Sequence, residues 1–195
     1  PLCLDSANPA AIAAALERVA QPPLINSISG EAKRLDGVLP LVPGRACGAI
    51  ALLLDDAGIP SDVAGRIAVA RRILERTHAA GVPDEQVYID PLAIALSTRQ
   101  DGALVALDTM RTLRAECPGV RFCIGLSNVS FGLPARGLVN RVFLTLALAA
   151  GLDAAILDPL DQALYSQLVA AELVLGRDRF CRRYTTAFRA GRVKA

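Results

Sequence analysis

Six side chains of related chemistry stand at the ends of short apolar runs: Asp5, Asn26, Asp55, Asp90, Asn128 and Asp158. An ionised carboxylate only accepts hydrogen bonds, whereas a carboxamide both donates and accepts. Gathered in one pocket, such a set suits a ligand whose edge carries adjacent N–H donors, because a carboxylate can accept two of them in parallel. The aminopyrimidinone edge of a pterin is one such edge. Any single Asp or Asn at a strand end reads equally well as an Asx turn or a helix cap, and Asp55 and Asp158 are the most open to that reading. Six together, with no His, Lys or Cys among them, point to a shared pocket.

Other chemistries lack their residues. The sequence holds no G-x-S-x-G, no P-loop and no H-E-x-x-H. The lone His78 falls inside a helical stretch and reads as a surface or satisfied helix residue. Gly125-Leu-Ser-Asn-Val-Ser-Phe-Gly132 is glycine-bearing but not spaced as a dinucleotide fingerprint. Five cysteines (Cys3, Cys47, Cys117, Cys123 and Cys181) include no C-x-x-C pair, so no zinc set and no protein-bound metal is expected. Cys3 and Cys123 lie in strand-like runs and are expected to be small core residues; a reducing cytoplasm suits this usage.

The elements that must position the six polar residues repeat in a fixed order. An apolar run ends in Asp or Asn, and an amphipathic stretch of helical period follows. Leu2 to Leu4 leads to Asp5, then Asn8-Pro9 signals a helix start, with helix to about Val19. Leu24-Ile25 ends at Asn26, with helix from about Glu31. Ala49 to Leu54 is a continuous apolar run, as in a buried parallel strand, ending at Asp55-Asp56. Helix is expected from Asp62 to Ala80, strand from Val87 to Asp90, helix from about Arg99 to before Pro118, and strand from Arg121 to Ile124. Leu138 to Ala150 reads as helix and Ala154 to Leu157 as strand, with two helices after Asp158-Pro159. Roughly six βα units in succession predict an α/β protein with a parallel sheet, either part of a TIM (β/α)8 barrel or an open, flavodoxin-like sheet.

Composition agrees with one domain whose core is aliphatic: of 195 residues 53% are hydrophobic, and only 4% are aromatic. No apolar run reaches the ~20 residues of a membrane helix, and no signal peptide opens the chain. A net charge of +2 from 21 basic and 19 acidic residues is too balanced to argue for nucleic acid or a membrane surface. Basic residues crowd the end (Arg177, Arg179, Arg182, Arg183, Arg189, Arg192 and Lys194), where a solvated terminal helix explains them.

Leu-Cys-Leu-Asp5-Ser, Ile-Asn26-Ser, Tyr-Ile-Asp90-Pro-Leu and Gly125-Leu-Ser-Asn128-Val-Ser resemble the pterin-binding methyltransferase family, as do Asn140-Arg-Val-Phe-Leu and Ala150-Gly-Leu-Asp-Ala-Ala-Ile156. Order and spacing are kept through nearly all of the chain. The nearest members by this resemblance are the methyltetrahydrofolate:corrinoid/iron–sulfur protein methyltransferases; the folate domain of cobalamin-dependent methionine synthase is more distant, and dihydropteroate synthase a cousin. The resemblance implies a pterin-type TIM barrel spanning residues 1–195 and starting at about the third strand, the first two βα units (~60 residues at ~30 per unit) lying outside it.

The resemblance also implies roles. Asp5, Asn26 and Asp90 would hold the pterin ring, Asp55 and Ser127 would join that network, and Asn128 would lie near N5, the atom that carries the methyl group. The substrate would be methyltetrahydrofolate or tetrahydrofolate, and the other party a corrinoid (cobalamin) on a partner protein, with a homodimer left open. The implied reaction is transfer of the N5-methyl group between the two, in either direction. A non-catalytic pterin-binding module derived from the same barrel is the alternative. A dihydropteroate synthase is disfavoured, because its basic residue in the seventh-strand loop is replaced here by Ser-Asn-Val-Ser.

Overall fold

The computed structural model describes residues 1–194. Six parallel strands form one sheet in strict sequence order: β1 (Cys3–Asp5), β2 (Leu24–Ser29), β3 (Gly48–Leu52), β4 (Val87–Asp90), β5 (Arg121–Gly125) and β6 (Ala154–Ile156). Each strand is followed by helix: α1 (Pro9–Leu16), α2 (Ala32–Val38), α3 (Val63–Ala79), α4 (Gly102–Glu116), α5 (Arg136–Ala149) and α6 (Gln162–Val174), with α7 (Arg182–Arg189) after α6. A flavodoxin-like sheet reverses its strand order at a switch point. Here the order never reverses, so right-handed crossovers place every connecting helix on the same face. The sheet curls as part of a (β/α) barrel, and the open-sheet alternative is set aside.

Local chemistry accounts for the helix starts. Asn8 accepts the Ala10 N–H at 2.9 Å with Pro9 at the first helical position, Asp62 accepts the Gly65 N–H at 2.7 Å, and Asp161 accepts the Leu164 N–H at 2.9 Å. The strands alternate between two environments. Ile25, Ala49, Ala51, Val87, Ile89, Phe122 and Ile124 pack with helix residues such as Ile73, Met110 and Phe143 in one continuous core. Asn26, Ile50, Leu52, Tyr88, Asp90 and Cys123 point the other way, onto the concave face.

Several expectations need correction. β2 does not end at Asn26: it runs to Ser29, with a register irregularity between Asn26 and Ile28 against β3. The added residue keeps Ile28 on the helix side while Asn26 and Ser29 both face inward. α1 stops at Leu16 rather than near Val19. α4 begins at Gly102 rather than near Arg99, because residues 99–101 are held in a turn by an Arg99–Asp101 ion pair at 2.6 Å. Cys3 is exposed rather than part of the core: it sits on β1, which among the described residues pairs only with β2. Cys123 is buried, as expected.

Candidate functional site

The C-terminal ends of parallel strands open on one mouth, and each of the six candidate residues must be judged by where its side chain goes there. Asp5 and Asn26 face each other across the first strand pair, in direct register. Asn26 Nδ2 donates to Asp5 Oδ2 at 3.1 Å. This bond fixes the orientation of the carboxamide and leaves Asp5 exposed and Asn26 half-buried.

Asp90 is the buried member, 7% exposed. Its Oδ1 accepts the Leu92 N–H at 2.8 Å, and the Gly125 amide lies near enough to favour the carboxylate. Burial pushes the carboxyl up to about 6, against the pull of those two amides and of the Arg66 guanidinium. Asp90 therefore holds its proton to a higher pH than an exposed carboxyl does.

Asn128 belongs to a short 3-10 turn, Leu126–Ser130, that follows β5 directly. Its carboxamide folds over Gly125: a Cβ added to Gly125 would lie 2.9 Å from Asn128 Nδ2. Asn128 thus stands over Gly125, at the end of the strand that neighbours Asp90. Ser127 is exposed beside it, and its carbonyl accepts from Arg136 Nη2 at 2.8 Å. Arg136, at the start of α5, also donates from Nε to Ser130 Oγ at 3.1 Å, so it braces the turn from both sides.

The structure thus pairs Asp5 with Asn26 directly, while Asp90 on β4 and Asn128 just after β5 stand on neighbouring strands on the other side of β3. Asp55 is placed differently. Its carboxylate pairs with Arg72 of α3 and accepts the Ala57 N–H at 3.0 Å, and this Arg72 contact holds its pKa below the usual carboxylate range. It is turned to the helix layer rather than to Asp5 and Asn26. Asp158 accepts the Leu160 N–H at 2.9 Å and forms an Asx turn. His78 is exposed and bonded through Nε2 to Asp84 at 2.6 Å, a satisfied surface residue.

Two arginines that hold the site escaped the sequence reading. Arg66 is fully buried beneath the Asp90-Pro91-Leu92 turn, and Arg136 braces the Asn128 turn. Arg66 had a legible signal: it falls on the same helical stripe as Ala70, Ile73 and Leu74. Among the described residues no cluster of His, Cys, Asp and Glu is arranged to hold a metal ion, and no helix is long and apolar enough to cross a membrane. A hollow of about 570 Å³ lies at the other end of the concave face, lined by Cys3, Leu24, Gly48, Tyr88 and Arg121; it contains none of the strand-end residues from Asp5 to Asn128.

The parallel sheet in unbroken strand order is that of part of a (β/α) barrel, and a family model described as pterin binding enzyme matches residues 1–158. The chain belongs to the pterin-binding enzyme family. It is 35% identical over 195 residues to the methylcorrinoid:tetrahydrofolate methyltransferase of Eubacterium limosum, covering 99% of this chain and 72% of that protein. It is also 32% identical over 169 residues to the methionine synthase of Mycobacterium tuberculosis, covering 80% of this chain and 14% of that protein. Among solved structures, a dihydropteroate synthase from Coxiella burnetii in complex with pteroic acid superimposes with a TM-score of 0.68 at 15% identity, over 90% of this chain and 68% of that one. At that identity the likeness is one of fold.

Proposed function

We propose that this chain binds a reduced folate by its pterin ring and moves the N5-methyl group between that folate and the cobalt of a corrinoid carried by a separate protein. The observation that carries the reading is the Asp5–Asn26 pair and the buried Asp90 on one concave face, with Asn128 on the turn after the strand beside Asp90, in a chain alike along its length to a methylcorrinoid:tetrahydrofolate methyltransferase. In this reading residues 1–195 act as one barrel domain, with β1 in the place of the third barrel strand. Five free cysteines favour a reducing, cytoplasmic setting.

The chain's own side chains have distinct tasks. Asp5 and Asp90 accept the N–H donors of the aminopyrimidinone edge, and Asn26, already oriented by Asp5, supplies a carbonyl oxygen and the remaining amide proton. Ser127, exposed beside Asn128, would add a hydroxyl. Asp55 would join only by giving up Arg72, so its contribution is the smallest. An amine is a poor leaving group unless N5 gains positive character. Asn128 stabilises protonated N5 with its carboxamide oxygen and does not itself supply the proton. With the methyl group aligned to the cobalt, N5 keeps the electron pair of the breaking bond and retains the proton. The rest of the rate comes from holding the two reactants in line.

Titration calorimetry with methyltetrahydrofolate, followed by a methyl-transfer assay with a Co(I) corrinoid and the reverse assay with a methylcorrinoid and tetrahydrofolate, tests the proposal. Binding with transfer in either direction supports it. Binding without transfer in both directions would instead make the chain a pterin-binding module, and no binding by the folded chain would sink both readings.

A further inference from the structure

We propose that Arg66 is a positioning residue for Asp90, acting through the Pro91–Leu92 turn; the functional meaning of this rests on Asp90 as a pterin-holding group. Arg66 lies on α3, is 0% exposed, and spends its guanidinium on backbone carbonyls rather than on an acid. Nε donates to Pro60 O at 3.2 Å, and Nη1 donates to Leu92 O at 2.8 Å and also to Pro91 O. Nη2 is buried without a partner. A charge that is buried with no carboxylate in hydrogen-bond contact is held at a penalty, so its position needs a reason.

The reason lies in the turn it grips. Leu92 has φ +61°, in the left-handed region that a bulky side chain rarely occupies. In that conformation its N–H points back to Asp90 Oδ1, at 2.8 Å, while its C=O points to Arg66. One residue thus links the two side chains: Arg66 pins the carbonyl, and the amide of the same residue pins the carboxylate. Pro91 stiffens the turn from within. Without the guanidinium, Leu92 is free to relax to a negative φ, and its amide leaves Asp90.

Arg66 also acts by charge. It opposes the burial that pushes Asp90 up to about 6. The other charged and titratable groups near the pair are few: Cys123 on β5, whose thiol burial drives up to about 12 and so keeps neutral, and the Arg99–Asp101 ion pair that flanks Arg66. Geometry and charge can be separated by substitution, since Arg66→Lys keeps the charge without the fork and Arg66→Met removes both.

The test follows the Asp90 carboxyl by carbon-13 NMR titration and the Leu92 amide by hydrogen exchange, both in the ligand-free chain, with tetrahydrofolate affinity measured separately. In Arg66→Lys the Leu92 amide should exchange roughly 10-fold faster and tetrahydrofolate should bind roughly 10-fold more weakly, the equivalent of one hydrogen bond to a charged group. Adding Leu92→Gly, which occupies φ > 0 freely, should restore most of that affinity. In Arg66→Met the Asp90 titration should move upward by about one unit. Unchanged exchange in a folded Arg66→Lys chain, or a loss of affinity that Leu92→Gly does not repair, would overturn the proposal. If Arg66→Met does not fold, the lysine variant and its glycine rescue decide the matter alone. A wild-type chain that fails to bind tetrahydrofolate would defeat the functional reading, while exchange and titration would still report on the Arg66–Asp90 linkage.

Discussion

Asn26 donates its Nδ2 proton to Asp5 Oδ2 across 3.1 Å, 21 residues apart in the chain and directly opposite in the first strand pair. The bond decides which end of the carboxamide faces the mouth: the nitrogen is engaged, and the oxygen is left to accept. Asp5→Asn replaces an acceptor-only carboxylate by a group that can present a donor to a donor. Loss of a hydrogen bond to a charged group is worth about 1.5–3 kcal/mol, so tetrahydrofolate affinity should fall roughly 10- to 100-fold with thermal stability little changed. Calorimetry on the folded variant checks this, and unaltered affinity would remove Asp5 from the pterin-holding set.

Asp90 makes stability depend on pH in an unusual direction for a carboxyl. Its pKa is raised in the folded chain to about 6 from an ordinary 3.8, so the folded state binds the proton more tightly than the unfolded one. The stabilisation is fully present below about pH 4 and is lost as pH rises through about 6, by roughly 3 kcal/mol for about two units. Asp55, Asp101 and Asp178 are shifted the other way, by Arg72, Arg99 and the Tyr184 amide respectively, and oppose this trend. Denaturant unfolding of wild type and Asp90→Asn at pH 4.5 and 7.5 isolates the contribution. The variant should gain on wild type as pH rises; a constant difference would refute the assignment.

Pterin affinity should run opposite to that stability effect, rising with pH through about 6 as the accepting carboxylate forms. Calorimetric titrations of the wild-type chain between pH 5 and 8 would show it, with Asp90→Asn binding weakly and without that pH step.

Asn128 is expected to matter more for transfer than for affinity, because protonated N5 is its charged partner. Asn128→Ala should lower the transfer rate by roughly 10- to 100-fold and change tetrahydrofolate binding much less. Gly125→Ala offers a check from a neighbouring position. Its Cβ would sit 2.9 Å from Asn128 Nδ2, a flexible side-chain end that can swing away, so the fold should survive while transfer drops. Equal losses in rate and affinity for Asn128→Ala would contradict the role given to it.

Gly30 tests the framework instead of the chemistry. Its N–H donates to Leu54 O at 2.8 Å, and a Cβ there would lie 2.7 Å from that oxygen and 2.8 Å from Val69 Cγ1. Gly30→Ala should therefore destabilise by about 2 kcal/mol, as overpacking does, visible as a lower denaturant midpoint with an unchanged slope. An unshifted midpoint would mean that β2 and α3 yield more easily than their spacing implies.

Much of this fold was legible because its signals are local. Asn8-Pro9 marks a helix start by its own chemistry, and the apolar runs ending at Asp5, Asp90 and Asp158 mark strand ends without reference to anything distant. The extension of β2 was not legible, since Ser27 and Ser29 read as polar loop residues. They are buried because β3 pairs beyond the irregularity and Glu31 accepts the Ser29 hydroxyl at 2.9 Å. The strand-end rule placed Asp55 and Asp90 in one set, although Asp55 was the more open to a turn reading. What separates them is a tertiary partner, Arg72 for one and a dry pocket above Arg66 for the other, and neither is visible in the spacing of the chain. Cys3 was misplaced for a related reason: an apolar run does not reveal whether its strand has neighbours on both sides.

The unbroken strand order bears on how the chain reaches this structure. Every strand pair joins residues between 21 positions apart (Cys3 with Leu24) and 38 positions apart (Ala49 with Val87). Among the described residues each pairing joins consecutive units, so the loop-closure entropy of every step is similar, although parallel pairing across 21 or more positions is slower than hairpin formation. Each βα unit can dock on the one before it as a growing edge. β3 and β4, at the middle of this order, carry buried residues along most of their length, so each later unit has a dry surface to dock on.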